Sequence, residues 1–177
     1  MTKRIIIGIL CAIALLTVGC AQKNQARKID ITSMKAGEKF QWEGFSFVVP
    51  EDVQITDESK DVEGVIFNIS EADQTVIAVS WPGSLGKVDN ISEYGAKYLS
   101  SDKNPMVGDY EEADVINYKD RYAIHTVLRE YNGISVYIET YIISINKDLC
   151  QIVFTTYDEE KYISVFDEFL NSIQFDA

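Results

Sequence analysis

The sequence has 177 residues, of which 46% are hydrophobic, and its formal net charge at pH 7 is −12. This length suits one ordinary globular domain with a short appendage, and the apolar content is enough for a sizeable core. Nucleic acids and anionic lipid head groups would repel so acidic a chain. We therefore expect no nucleic-acid partner, while cationic, neutral and metallic partners remain open.

The N-terminus has the pattern of a secretory signal. A basic pair, Lys3 and Arg4, precedes an apolar run over residues 5–18, which is shorter than the roughly 20 residues of a membrane-spanning helix. Gly19 and Cys20 follow, a small residue and a cysteine at the expected cleavage point. A permanent signal anchor is the alternative to cleavage.

Residues 16–20, Leu-Thr-Val-Gly-Cys, resemble the lipobox of bacterial lipoproteins, with threonine where leucine is usual. In that motif the cysteine thiol is acylated and becomes the mature N-terminus. We therefore expect residues 1–19 to be removed and Cys20 to carry a lipid such as palmitate. The lipid would anchor the protein to a membrane of the bacterial cell envelope, on its periplasmic or extracellular face. Residues 20–38 are mostly polar and predict a flexible tether, so residues 39–177 form the predicted domain.

Cysteine spacing excludes a disulfide within the mature chain. Cys11 lies in the signal, Cys20 would carry the lipid, and Cys150 is then alone. Cys150 lies in the apolar run of residues 149–154 without a basic neighbour in sequence. These surroundings favour a buried, inert cysteine over a reactive thiol.

The first half of the domain predicts strands and one helix. Residues 40–43 and 45–49 alternate on either side of Gly44, which indicates a hairpin or two bent edge strands. An acidic surface loop is predicted over residues 51–63. Strands at residues 64–70 and 75–81 follow, joined by a turn, and then a helix from Ile91 to Leu99. Asn90 is the predicted N-cap of that helix, with Glu93 as its capping-box partner.

The second half predicts an antiparallel meander and a covering helix. The strand-like runs are residues 113–118, 122–131, 134–145 and 149–157. Asn132 and Gly133 form a strong hairpin signal because both residues tolerate the positive φ of a type I′ turn. The last run is followed by a helix that begins after Asp158, its predicted N-cap. Its wide apolar stripe consists of Tyr162, Val165, Phe166, Phe169, Leu170 and Ile173.

Two segments resemble PsbP-like domains. Residues 44–50, an aromatic-rich strand that runs into Pro50, resemble the opening of such domains, and residues 166–175 resemble their closing helix and final short strand. The resemblance implies an α+β fold for the chain from about residue 40 to 175. Its antiparallel sheet of about six to seven strands is flanked by helices as an α/β/α sandwich. It also implies an adaptor-like, mostly non-enzymatic function, and it transfers no binding residue because no functional motif matches position by position.

Few residues point to catalysis. His125 is the only histidine, which excludes a site with several imidazoles, and its position within a strand favours a hydrogen-bonded structural role. No nucleophile elbow or phosphate-binding glycine loop occurs. We expect no enzymatic activity and no cofactor, with a hydrolase that uses acidic residues as the alternative.

Two surface features are candidate binding sites. One is a cluster of four acidic residues, whose carboxylates suit calcium, although a solvated charged edge is the alternative. Its members are Asp109, Glu111, Glu112 and Asp114. The other is Trp81 beside the loop of residues 82–86, a candidate anchor for a partner, with a place at the end of a core strand as the alternative. The sequence thus predicts a lipid-anchored binding or adaptor module for a protein or small molecule, and a calcium-dependent interaction module is a further alternative.

Overall fold

The computed structural model describes residues 30–42, 44–58, 64–100 and 109–176. The predicted signal and Cys20 lie outside these residues. The helices are a short 3-10 turn at Ile31–Ser33, α1 at Ile91–Leu99 and α2 at Glu159–Ser172. The strands are β1 (Lys39–Trp42), β2 (Phe45–Val48), β3 (Gln54–Glu58), β4 (Gly64–Ser70), β5 (Thr75–Ser80), β6 (Glu112–Tyr118), β7 (Arg121–Tyr131), β8 (Ile134–Ile145), β9 (Asp148–Thr156) and β10 (Gln174–Phe175).

A seven-stranded antiparallel sheet is the centre of the domain. Its strand order is β3-β4-β5-β9-β8-β7-β6. Helix α1 packs on one face against β6 and β7, and α2 covers the other face beside β9. Each face has its own apolar cluster, with Ile124 and Val153 on the α1 side and Phe154 and Phe166 on the α2 side. The predicted α+β class, an antiparallel sheet between helices, is confirmed.

The elements begin and end where local chemistry dictates. Asn132 and Gly133 have φ values of 52° and 75°, as a type I′ turn requires. Asn90 Oδ1 accepts hydrogen bonds from the first turn of α1, and Asp158 Oδ1 does so at the start of α2. Glu93 does not complete a capping box, because its carboxylate pairs with Lys97 one turn further on.

A second, smaller sheet was not expected. The sequence predicts a hairpin or two bent edge strands here; β1 and β2 do pair as a hairpin, but together with β10 they form a separate three-stranded sheet. The physical reason is that β2 is buried on both faces: Phe45, Ser46 and Phe47 are all buried. Phe47 packs against Phe67 of the main sheet and Phe169 of α2, so the small sheet covers the main sheet instead of extending its edge.

The predicted acidic loop over residues 51–63 is wrong in its central part. Residues Gln54–Glu58 form β3, which pairs with β4 at the edge of the main sheet. Half-buried Val53 and Ile55 pack against the core. Their acidic neighbours make this alternation of apolar and polar residues hard to recognise in the sequence.

The N-terminal boundary of the domain lies earlier than residue 39. Met34 is only 6% exposed, and Ile31 packs against the same core. The backbone N–H of Gly37 donates to the carbonyl of Val49, whose own N–H donates to the carbonyl of Glu38. Part of the predicted tether of residues 20–38 therefore belongs to the folded domain.

Candidate functional site

A buried carboxylate, Glu139 of β8, is the centre of the most polar site within the domain. Glu139 is 8% exposed. Its Oε1 accepts a hydrogen bond from Nε2 of His125 at 2.9 Å and another from the hydroxyl of Tyr141 at 3.0 Å. Its Oε2 accepts a hydrogen bond from the hydroxyl of Tyr137 at 2.6 Å. The rings of His125 and Tyr141 lie 4.7 Å apart, so the four side chains form one compact group, which we call the Glu139 cluster.

Electrostatics keep Glu139 ionised. Burial alone would raise the pKa of Glu139, but the hydrogen bonds from His125, Tyr137 and Tyr141 outweigh burial and lower it below its usual value. Burial and the neighbouring carboxylate raise the pKa of both tyrosines, so their hydroxyls stay protonated and donate. Three hydrogen-bond donors bind the carboxylate, so the buried charge has partners within the cluster. This polar network lies beside the apolar cluster on the α2 side of the sheet.

An arginine ties this cluster to the surface. The guanidinium of Arg129 on β7 forms a two-pronged pair with Glu159 of α2, with N–O distances of 3.0 and 3.1 Å. It also pairs with Glu111 and lies over the ring of Tyr137, 5.2 Å from its centroid. These contacts raise the pKa of Arg129 through its bonds to Glu159 and then Glu111. Arg129 thus joins the segment before β6, the sheet and the start of α2.

The structure assigns different partners to the predicted acidic cluster. All four residues are exposed; they are Asp109, Glu111, Glu112 and Asp114. The carboxylate of Glu111 is paired with Arg129, and Asp114 Oδ1 accepts a hydrogen bond from the N–H of Val115. The described residues contain no group of three or more His, Cys, Asp or Glu side chains that could hold a metal ion. Calcium binding at these residues stays a prediction.

The predicted recognition anchor is part of the core. Trp81 is 2% exposed, and its ring packs against Phe40 and Trp42 of β1 at centroid distances of 6.2 and 6.1 Å. Its carbonyl accepts hydrogen bonds from the backbone and hydroxyl of Ser84, which close the following turn. This burial favours the core interpretation of Trp81 over a docking role.

Cys150 is fully buried, as its apolar surroundings predict. Burial raises the pKa of its thiol to about 12, and its Sγ lies 3.2 Å from the carbonyl oxygen of Ser80. A thiol that is protonated and shielded at neutral pH is a poor nucleophile.

A cleft opens between the end of β2 and helix α2, and we call it the β2–α2 cleft. Its volume is about 270 Å³. Its lining consists of Gly37, Val48, Val49, Pro50, Glu51, Val165, Glu168, Phe169 and Ser172. Val49 and Phe169 are buried at its floor, Val48 is 39% exposed, and the carboxylates of Glu51 and Glu168 are exposed. The hydroxyl of Ser172 accepts from the N–H of Val48 and donates to the carbonyl of Phe169.

Comparison with solved structures identifies the fold. The solution structure of cyanobacterial PsbP (CyanoP) from Synechocystis matches 86% of this chain and 98% of its own, with a TM-score of 0.53 and 15% identity. The fold is PsbP-like. A crystal structure from Bacteroides thetaiotaomicron matches 81% of this chain and 50% of its own, with a TM-score of 0.50 and 12% identity.

Other comparisons add no family assignment. LpqN of Mycobacterium tuberculosis, described as involved in cell envelope biogenesis, matches 75% of this chain with a TM-score of 0.39 and 14% identity, too low a score for a conclusion. No family model and no curated protein matches the sequence. In the described part of the PsbP-like domain, no helix has the length and apolarity needed to cross a membrane.

Sequence reasoning identified one member of the Glu139 cluster and missed the β2–α2 cleft. The sequence predicts a hydrogen-bonded structural role for His125, but its partner Glu139 lies 14 residues away on β8. A lone glutamate in the apolar run Tyr137–Ile143 was the available signal, because unpaired acids are rarely buried. The cleft joins β2 to a helix more than a hundred residues further along the chain, and no local pattern indicates it.

Proposed function

We propose that this protein is a lipid-anchored protein of the bacterial cell envelope whose PsbP-like domain binds a partner without catalysing a reaction. The observation that supports the anchor is Gly19-Cys20 directly after a short apolar run with a basic start. The partner would be another protein or a small molecule. The strong negative charge of the chain argues against nucleic acid.

The chemistry of the described residues supports a binding role. Glu139 is held by three hydrogen bonds, and the pKa of Cys150 is raised by burial. Among the described residues, these candidates for a base and a nucleophile are thus occupied or shielded. A hydrolase that uses acidic residues would instead need carboxylates that converge in a deep pocket, whereas the cleft beside Glu51 and Glu168 holds only about 270 Å³.

Substitution of the acceptor cysteine tests the anchor. In a bacterial host that processes lipoproteins, we expect Cys20→Ser to abolish incorporation of labelled palmitate and to move the protein out of the membrane fraction. Cys11→Ser is the matched control, because that cysteine lies inside the apolar run and should not change labelling. Membrane association without lipid label in both variants would contradict the proposal and support a permanent signal anchor.

A further inference from the structure

We propose that the β2–α2 cleft binds an arginine or lysine side chain of a partner protein. This assignment gives the proposed binding role a site and a ligand chemistry, and it rests on that role. The argument combines the shape of the cleft, the polarity of its floor and the charge of its rim.

The size of the cleft fits one long side chain. Its volume of about 270 Å³ is below the range of roughly 300–1,000 Å³ that is typical of cofactor and drug-sized ligand sites. The floor is apolar, because Val49 is fully buried and Phe169 is 3% exposed. Partly exposed Val48 and Val165 extend the apolar surface to the rim. Such a floor suits the aliphatic stem of lysine or arginine, whose charged end then lies at the opening.

The charge at the rim determines the sign of the ligand. Glu51 and Glu168 are the only charged residues in the lining. The side chain of Glu51 lies against Gly37 at the wall of the cleft. Among the described residues, neither carboxylate has an ion-pair or hydrogen-bond partner. Two half-buried carboxylates beside α2 are engaged, Asp73 with Lys161 and Glu159 with Arg129. Two unpaired carboxylates above an apolar floor favour a cation over a neutral or anionic group.

A partner protein is a better occupant than a free amine. The exposed fraction of Val48, 39%, leaves apolar surface around the opening that a small amine would not cover. Residues beside the cation in a partner chain would cover it and exclude water from the ion pair. The basic residues of the chain's own N-terminal segment are the competing occupant, and the experiment distinguishes them from a partner; they are Lys23, Arg27 and Lys28.

A peptide titration of the full chain in detergent micelles, followed by amide resonances, tests the site. The probe is Ac-Val-Arg-Val-NH2, and its citrulline counterpart has the same shape without the charge. We expect saturable shifts at Val48, Val49 and Phe169 with the arginine peptide, and at least about tenfold weaker binding of the citrulline peptide. Equal binding of the two peptides, shifts elsewhere on the domain, or no shifts would overturn the proposal.

Variants locate the charge effect. Because an exposed ion pair contributes little individually, both carboxylates are replaced together. We expect the double variant Glu51→Gln with Glu168→Gln to lower the affinity for the arginine peptide by about three- to tenfold. The control pair Glu130→Gln with Glu160→Gln removes the same charge from exposed positions on β7 and α2 and should leave affinity unchanged. If both pairs lower the affinity equally, the loss reflects only the net charge of the protein, and the assignment of the cleft is wrong.

The chain's own segment is tested without peptide. If replacement of Lys23, Arg27 and Lys28 by glutamine together shifts the amides of the cleft in the free protein, the N-terminal segment is the occupant and the partner assignment is wrong. Unchanged amide resonances support the partner assignment. None of these outcomes alters the labelling test at Cys20, so the anchor and the binding site are judged separately.

Discussion

At the scale of single residues, the Glu139 cluster shows how a charge is held inside an apolar layer. Desolvation of a carboxylate is costly unless hydrogen bonds replace its water. Glu139 has three such bonds, from His125, Tyr137 and Tyr141. The cluster therefore stabilises the fold only while the carboxylate is charged and all three donors are present.

Glu139→Gln tests this dependence on charge. The pKa of Glu139 is lowered from its usual value of 4.5, so ionisation stabilises the folded state above about pH 4.5, and this stabilisation is lost as the pH falls through the folded pKa. At pH 7 we expect the variant to lose about 2–3 kcal/mol of unfolding free energy, since bonds to a charged acceptor are replaced by weaker ones. At pH 3 the difference should shrink, because below the usual pKa the carboxyl of the unfolded chain binds a proton more readily than the folded one, which favours unfolding of the native protein.

Urea unfolding at pH 7 and pH 3 measures the two differences. Glu130→Gln is the control, because this glutamate is exposed on β7 and its replacement should change neither value. A loss of the same size at both pH values would mean that shape and packing, not charge, determine the contribution of Glu139.

At the scale of elements, helix α1 approaches the sheet through a glycine. A Cβ at Gly95 would lie 2.6 Å from Cγ2 of Val115 and 2.9 Å from Cγ1 of Ile124, closer than packed carbon atoms allow. Gly95 is buried in the middle of the helix, where glycine costs about 1 kcal/mol relative to alanine. The close contact between helix and sheet offsets this cost.

Gly95→Ala should therefore destabilise the protein despite the better helix propensity of alanine. We expect a loss of about 1–3 kcal/mol, the usual range for overpacking, measured by denaturant unfolding. Val115→Ala removes the nearest methyl groups, so the double variant should recover part of the loss relative to Val115→Ala alone. A more stable Gly95→Ala protein would show that α1 moves away at no cost.

Elements with strong local signals were predictable, and elements defined by distant contacts were not. The turn at Asn132 and Gly133, the cap at Asn90 and the stripe of α2 depend on nearby residues, and the structure confirms them. The separate small sheet depends on how Phe47 packs against Phe67 and Phe169, which no local pattern contains.

The Glu139 cluster could not be predicted because it depends on the register in which β7 and β8 pair. From the turn, β7 and β8 pair Tyr131 with Ile134 and Glu130 with Ser135, but an irregularity after Leu128 shifts the register by one residue. The shift brings His125 opposite Tyr141 and places Glu139 on the same face. An uninterrupted hairpin would have put Glu139 on the opposite face, because a shift of one residue exchanges the two faces of a strand. The sequence does not mark this bulge, so the partner of His125 could not be read from it.

At the scale of the whole molecule, the start of the folded domain depends on which residues contribute to the free energy of unfolding, and the polar composition of the segment does not show this. Residues 31–38 look like tether because they contain few large apolar side chains. Yet Met34 is 6% exposed within the α2-side core. Two backbone hydrogen bonds, one from Gly37 and one to Glu38, hold the same segment to Val49. A short polar segment with one buried anchor is thus part of the domain.

Two truncated chains separate the alternatives for this boundary. We expect residues 30–177 to fold, and residues 39–177 to be less stable by about 3–4 kcal/mol. Burial of a methionine contributes about 2 kcal/mol and each hydrogen bond about 1 kcal/mol. Denaturant unfolding of both chains measures the difference, and Met34→Ala in the longer chain should account for about half of it. If both chains unfold at the same denaturant concentration, residues 30–38 act only as tether, and the contacts of Met34 and Val49 contribute nothing to stability. If only the shorter chain loses stability, about ten residues and not nineteen join any lipid anchor at Cys20 to the folded domain. Because Gly37 lies in the wall of the β2–α2 cleft, the shorter connection would hold the cleft nearer the membrane surface.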